Sequence, residues 1–113
     1  MKIHQRNIDD IIVVDVDGNM TGGIETKEFN NKIKEIMETG KNRIILNLGK
    51  VTWINSMGLG NIMAAFTTIK NKDGILKIAN PSDSVRQLLE LTYMISIIET
   101  YDEVHSAIDS FND

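Results

Sequence analysis

The residues most able to do chemistry lie in one short segment, Val51-Thr52-Trp53-Ile54-Asn55-Ser56-Met57-Gly58-Leu59-Gly60. A β-branched run delivers the backbone into a turn, and a helical pattern starts at about Ser56. Glycines at positions 58 and 60 sit in the first turn of that helix, where they add nothing to its stability. Their missing side chains leave the backbone beside Ser56 open to another molecule. Ser56 reads in two ways. As an N-cap, its hydroxyl accepts a bond from a free amide of the first turn. As a phosphorylation site, it sets a phosphate against those amides and the positive end of the helix, where a folded domain tolerates it. The two are compatible as alternate states of one residue. Trp53 reads as core or edge packing, with an aromatic anchor for a partner as the alternative.

Catalytic readings of the same segment fail on chemistry. A hydrolase elbow needs Gly-x-Ser-x-Gly, and Ile54 stands where the first glycine belongs. A serine nucleophile needs a general base. The histidines, His4 and His105, lie near opposite ends of the chain, and His105 reads as a surface residue. Gly58-Leu59-Gly60 is too short for a phosphate-binding loop of the nucleotide type. There is no cysteine, which excludes a disulfide framework, a thiolate metal site and a cysteine nucleophile. No carboxylate cluster has metal-ligand spacing; Asp9, Asp10, Asp15 and Asp17 read as turn and solvent-facing strand residues. The expectation is a protein that is not an enzyme, has no cofactor and holds no metal.

Composition limits the partners. The 113 residues are 42% hydrophobic and 25% charged, which suits one folded domain over 1–113. A net charge of −4 without a lysine or arginine cluster argues against nucleic acid. Lys27, Lys32 and Lys34 alternate with Glu25, Glu28 and Glu35, as on a solvated helix face. No apolar run is long enough for a signal peptide or a membrane span, so a cytoplasmic location without direct membrane insertion is expected.

The elements that must position Ser56 follow from period and punctuation. Ile11 to Val16 is β-branched and reads as a strand, with Lys2 to Asn7 pairing as an edge strand through a turn at Asp9-Asp10. Gly18-Asn19 and Gly22-Gly23 break the chain. Phe29, Ile33, Ile36 and Met37 give Ile24 to Thr39 a helical stripe, closed by Gly40 as a left-handed cap. Arg43 to Leu48 reads as a central strand buried on both faces. Leu59, Ile62, Met63, Phe66 and Ile69 form the second helix, ended by Asp73-Gly74. Ile75 to Ala79 is a strand, Pro81-Ser82 opens a third helix, and Ile95 to Glu99 is a last strand. Thr100 to Glu103 matches a capping box before a helix carrying Val104, Ala107, Ile108 and Phe111. The alternation predicts an α/β fold with a mixed sheet of about five strands and four helices packed mainly on one face.

This order, with Ile54-Asn55-Ser56-Met57-Gly58-Leu59-Gly60, resembles the STAS family, which includes bacterial anti-sigma factor antagonists and the cytoplasmic domains of sulfate transporters. The family's signature is Asp-Ser-Ser/Thr-Gly-Leu-Gly at the start of the second helix. The resemblance covers nearly the whole chain and implies a STAS-like sheet. It implies a protein that binds an anti-sigma factor, often a serine kinase, and frees the sigma factor. Phosphorylation of the motif serine, here Ser56, switches that binding off, and a serine phosphatase restores it; the ATP is held by the kinase. The contacts implied are Asn55, Ser56, Met57, Gly58, Leu59 and Gly60, with Met20 and Thr21 in the loop nearby. Three positions depart from the signature: Asn55 replaces its aspartate, Met57 its second hydroxyl residue, and Thr21, after Gly18, an aspartate common beyond the second strand. Two carboxylates expected beside the serine are therefore absent. The alternative is a STAS scaffold or transport-accessory subunit that is never phosphorylated.

Overall fold

The computed structural model describes residues 1–112, Ile24 by its backbone alone; Asp113, the last residue of the predicted domain, lies outside them. The elements run β1 (Lys2–Ile8), β2 (Ile11–Met20), α1 (Ile24–Glu38), β3 (Arg43–Ile54), α2 (Ser56–Asn71), β4 (Ile75–Ala79), α3 (Asp83–Leu91), a 3-10 turn (Met94–Ser96), β5 (Thr100–Tyr101) and α4 (Val104–Phe111). The strands form one mixed sheet in the order β1-β2-β3-β4-β5. β1 is antiparallel to β2, and the other neighbours are parallel. The β1–β2 reversal is the tight Asp9-Asp10 turn, with Asp9 at φ 54°, a left-handed conformation that aspartate tolerates better than most side chains.

Sheet order explains where the helices lie. Each parallel crossover from β2 to β5 steps one place in the same direction. Right-handed crossovers then put all three connecting helices on one face. Ile12, Val14, Val16, Ile44, Leu46 and Leu48 of the sheet bury against Phe29, Ile33, Ile62, Ile69, Val85 and Leu89 of α1, α2 and α3. α4 follows β5 and joins no two of the described strands, so that rule does not place it. It lies on the opposite face, where Ala107 and Phe111 pack on Ile11, Val13, Ile45 and Ala79. The expectation of helices mainly on one face thus resolves as three against one.

α4 is held by a charge as well as by apolar area. Lys77 projects from β4 into this second cluster with a side chain only 7% exposed. Its ammonium donates to Ser110 Oγ at 2.6 Å, pairs with Glu99 at 3.1 Å and stands 4.2 Å from the Phe111 ring centroid. These partners offset the desolvation that an isolated buried ammonium would suffer.

Three local expectations do not hold. The last strand is not Ile95 to Glu99; Met94–Ser96 is a 3-10 turn and pairing starts at Thr100. The capping box is not formed either. Thr100 sits in β5 with its hydroxyl donating to Ile98 O, and Glu103 itself is the N-cap residue of α4. A strand partner competed successfully for the residues that local pattern assigned to a cap. The chain also does not break at Gly18-Asn19, because β2 continues to Met20 with irregular pairing.

The corner of the second face over β1 and the carboxyl ends of β2 and β3 is not covered by α4. It is a groove of about 560 Å³ lined by His4, Gln5, Arg6, Asp15, Val16, Asp17, Asn47 and Lys50. Asp15 accepts from Arg6 Nε at 2.6 Å, from Arg6 Nη2 at 2.9 Å and from Asn47 Nδ2 at 2.7 Å. Partial burial by itself would raise its pKa. Hydrogen bonds from Arg6 and Asn47, with the charges of Arg6 and His4, outweigh that and hold the carboxyl below its ordinary value. A carboxylate with a depressed folded-state pKa stabilises the fold above its unfolded pKa of about 3.9 and loses that contribution as pH falls through the folded value. Asp15→Asn should therefore flatten the acid limb of the stability–pH profile below about pH 4. At neutral pH it should cost no more than about 1 kcal/mol, as for a solvent-screened pair. Urea unfolding at a series of pH values measures both.

Candidate functional site

The start of α2 is built by its N-cap, and that cap is Asn55 rather than Ser56. Asn55 has extended backbone angles, and its side-chain oxygen accepts from Gly58 N at 2.9 Å. The other half of the amide is also used: Nδ2 donates to Thr21 O at 3.2 Å. The main chain adds a bond from Asn55 N to Met20 O at 3.3 Å. One residue thereby caps a helix and fastens the β2–α1 loop to it. The aspartate of the family signature could make the first bond but not the second, since a carboxylate has no donor.

Gly58 explains how the two segments come so close. It is buried, and a Cβ there would lie 2.1 Å from Met20 O and 2.7 Å from Ile54 Cγ1. The glycine is thus a packing requirement and not an opening toward solvent. Gly60 differs, being exposed with nothing within 4 Å of where a Cβ would stand. On the loop side, Gly22 has φ 95°, and a Cβ on it would meet Met57 Cε at 2.9 Å. The Met57 side chain therefore lies over Gly22. Asn61 Nδ2 donates to Thr26 Oγ1 at 3.0 Å and joins α2 to α1 one turn further on.

With the cap supplied by Asn55, Ser56 is the first residue of α2 and is exposed. Its hydroxyl has no capping duty. The first turn of α2 contains no acidic residue, whereas those of α1 and α3 contain Glu25 and Asp83. The sequence-predicted contacts thus divide. Ser56, Met57 and Gly60 are exposed, Asn55 and Thr21 are half-buried, and Met20, Gly58 and Leu59 are buried. The last three support the surface from beneath and do not form it.

Of the two sequence readings of Trp53, burial in the core does not hold: 53% of the residue is exposed. The cause is a bulge in β3. Gly18 pairs with Val51 but Asn19 pairs with Trp53, so Thr52 is skipped. An earlier shift lies between Asp15 and Asp17, opposite Asn47 and Lys50. The signal was present in the buried positions Leu48, Val51 and Ile54, which are spaced by three where an unbroken strand alternates by two. Also missed were Ser82 and Ser84 at the start of α3, whose hydroxyls donate to Val51 O at 2.8 Å and Thr52 O at 3.3 Å. They bind the carbonyls around the bulge.

Among the described residues there is no group of three or more metal-ligating side chains and no helix long and apolar enough to cross a membrane.

Comparison with known proteins places the chain by family and by fold. The family model described as STAS domain matches residues 2–107. A Thermotoga maritima protein named as a candidate anti-sigma factor antagonist is 31% identical over 75 residues. That match covers 66% of this chain and 66% of the relative, just under two thirds of its length. A crystal structure of a candidate antagonist from the same organism superposes with a TM-score of 0.83 at 23% identity, covering 98% of this chain and 95% of that one. The anti-sigma factor antagonist SpoIIAA in its unphosphorylated form gives a TM-score of 0.76 at 18% identity, with 98% of each chain covered. The phosphorylated form of SpoIIAA, from Bacillus, gives 0.75 at 17% identity, covering 97% of this chain and 99% of that one.

The two glycines of the turn should respond oppositely to the same substitution. Gly58→Ala should destabilise by roughly 1–3 kcal/mol, because backbone must move. Gly60→Ala should stabilise by about 0.5–1 kcal/mol through helix propensity. Asn55→Ala should cost about 1–3 kcal/mol for a lost cap and a lost loop bond. Asn55→Asp should retain the helix start and release the loop. Urea midpoints give the first three, and faster amide exchange at Thr21 to Gly23 with α2 still protected reports the fourth.

Proposed function

This chain belongs to the STAS-domain family, and from that premise we propose that it is an anti-sigma factor antagonist switched off by phosphorylation of Ser56. The observation that carries the proposal is the exposed Ser56, whose hydroxyl has no partner among the described residues, on a helix start whose cap is supplied by Asn55.

In the unphosphorylated state the exposed turn, with Ser56, Met57, Gly60 and the rim of the Thr21 loop, meets an anti-sigma factor. The bound anti-sigma factor releases its sigma factor. A kinase, often the anti-sigma factor itself, transfers the γ-phosphoryl group of its ATP to Ser56 Oγ. ADP leaves, the serine proton is lost, and a serine phosphatase reverses the modification with water. The new group carries a charge of about −1.5 to −2 at neutral pH. On this chain it is tolerated: it lies at the positive end of α2, and that first turn has no carboxylate to repel it. Its cost falls on the complex, where desolvation and repulsion of a dianion exceed what the contacts return. Asn55 is the departure that sets the rate. Both of its amide groups are engaged, and it supplies no negative charge to orient the serine hydroxyl or a kinase-bound metal. The same departure favours the second reading, a scaffold whose complex forms without phosphorylation.

Incubation with the cognate kinase and ATP should add one phosphate to the wild type and none to Ser56→Ala, as read by intact mass. Ser56→Asp should weaken the complex by roughly 30-fold or more while leaving the unfolding midpoint nearly unchanged. Equal phosphate on Ser56→Ala would refute the site. A tight complex indifferent to kinase treatment would favour the scaffold.

A further inference from the structure

We infer that Trp53 is the apolar anchor of the same interface, seated in a hydrophobic cleft of the protein that covers Ser56; this rests on the antagonist reading of Ser56. Trp53 is the only tryptophan in the chain and is 53% exposed, one residue before the end of β3. The strand spends a ladder position at Thr52 to turn the indole outward, and bulges beside functional surfaces re-aim side chains in this way.

The backbone on either side is then immobilised. Ser82 Oγ holds Val51 O at 2.8 Å, Ser84 Oγ holds Thr52 O at 3.3 Å, and Thr52 Oγ1 donates to Asn19 Oδ1 at 2.7 Å. Asn55 N is bonded to Met20 O just beyond. An indole with few torsions on a fixed strand loses little entropy when it docks, and tryptophan is the residue type most enriched among interface hot spots. Met57, 62% exposed beside Gly22, is a flexible side chain and suits the adaptable rim.

Position identifies the occupant. Trp53 precedes Ser56 by three residues, so their Cα atoms lie within about 11 Å. A protein interface of ordinary size covers about 800 Å² per partner, a disc roughly 16 Å in radius. A partner centred on Ser56 therefore covers Trp53. The chemistry required of that partner is an apolar cleft with an oxygen acceptor for the indole N–H. Among the described residues, the other large exposed apolar side chains, Ile75, Leu91, Tyr93 and Ile97, carry no such link to the serine.

The test uses the whole chain labelled with 5-fluorotryptophan, which gives one fluorine resonance, titrated with the purified cognate anti-sigma factor. The resonance should move and lose its sensitivity to solvent deuterium on binding. Trp53→Ala should raise Kd roughly 30-fold with an unchanged unfolding midpoint, and Trp53→Phe should recover part of the loss. The Trp53→Ala and Ser56→Asp effects should be non-additive, as expected for one interface. A complex weakened by Ser56→Asp, with an unmoved resonance and an unaltered Kd for Trp53→Ala, overturns the anchor and leaves the antagonist reading intact. Failure of the wild type to bind overturns the antagonist reading and the anchor with it. A resonance that moves with the chain's own concentration, and a self-association lost in Trp53→Ala, assigns the indole to a second copy and overturns the proposed partner.

Discussion

The amide of Asn55 is the interaction on which the site depends. Its oxygen closes the first turn of α2 and its nitrogen holds a loop carbonyl 34 residues earlier in the chain. A donor and an acceptor are both needed, and among the short polar side chains that cap helices well only asparagine presents both on one rigid plane. The contact also needs Gly58, since any Cβ there would collide with Met20 O. Together they place the exposed first residue of a helix beside a glycine loop and free that residue from structural duty.

β3 makes a second contribution of the same kind. Twelve residues of β3 run beside ten of β2, and the surplus is taken up in two irregularities. Each leaves backbone groups outside the regular ladder, and buried groups of that sort must find partners. The second irregularity finds them in the hydroxyls of Ser82 and Ser84. The start of α3 thus completes the end of β3, although neither segment is next to the other in sequence. Tryptophan is turned outward as a result, at a rigid position.

Scaffold and surface are therefore separate sets of residues in one short motif. Met20, Ile54, Gly58 and Leu59 are buried, while Trp53, Ser56, Met57 and Gly60 face solvent. In the proposed switch this separation matters energetically. A charge added to the exposed set perturbs an interface, whereas the same charge among the buried set would unfold the turn.

Sequence alone determined most of the architecture. Its periods of two and 3.6 mark which segments alternate, glycines and aspartates mark the reversals, and burial of both faces is written into Ile44, Ile45 and Leu46. Those are local signals, and local backbone sterics enforce them. It also marked the Ser56 segment, because glycines in a helix start are costly unless something else needs them. It did not determine which residue caps α2, that Gly58 is shut in while Gly60 is open, that Trp53 faces out, or that α4 crosses to the other face. Each depends on a group distant in the chain: Thr21 O for the Asn55 amide, Met20 O for Gly58, the Val51 and Thr52 carbonyls for Ser82 and Ser84, and the Ile11, Val13, Ile45 and Ala79 side chains for α4. Hydrogen bonds and close contacts between remote segments exist only once the chain is folded, so tertiary structure had to decide them.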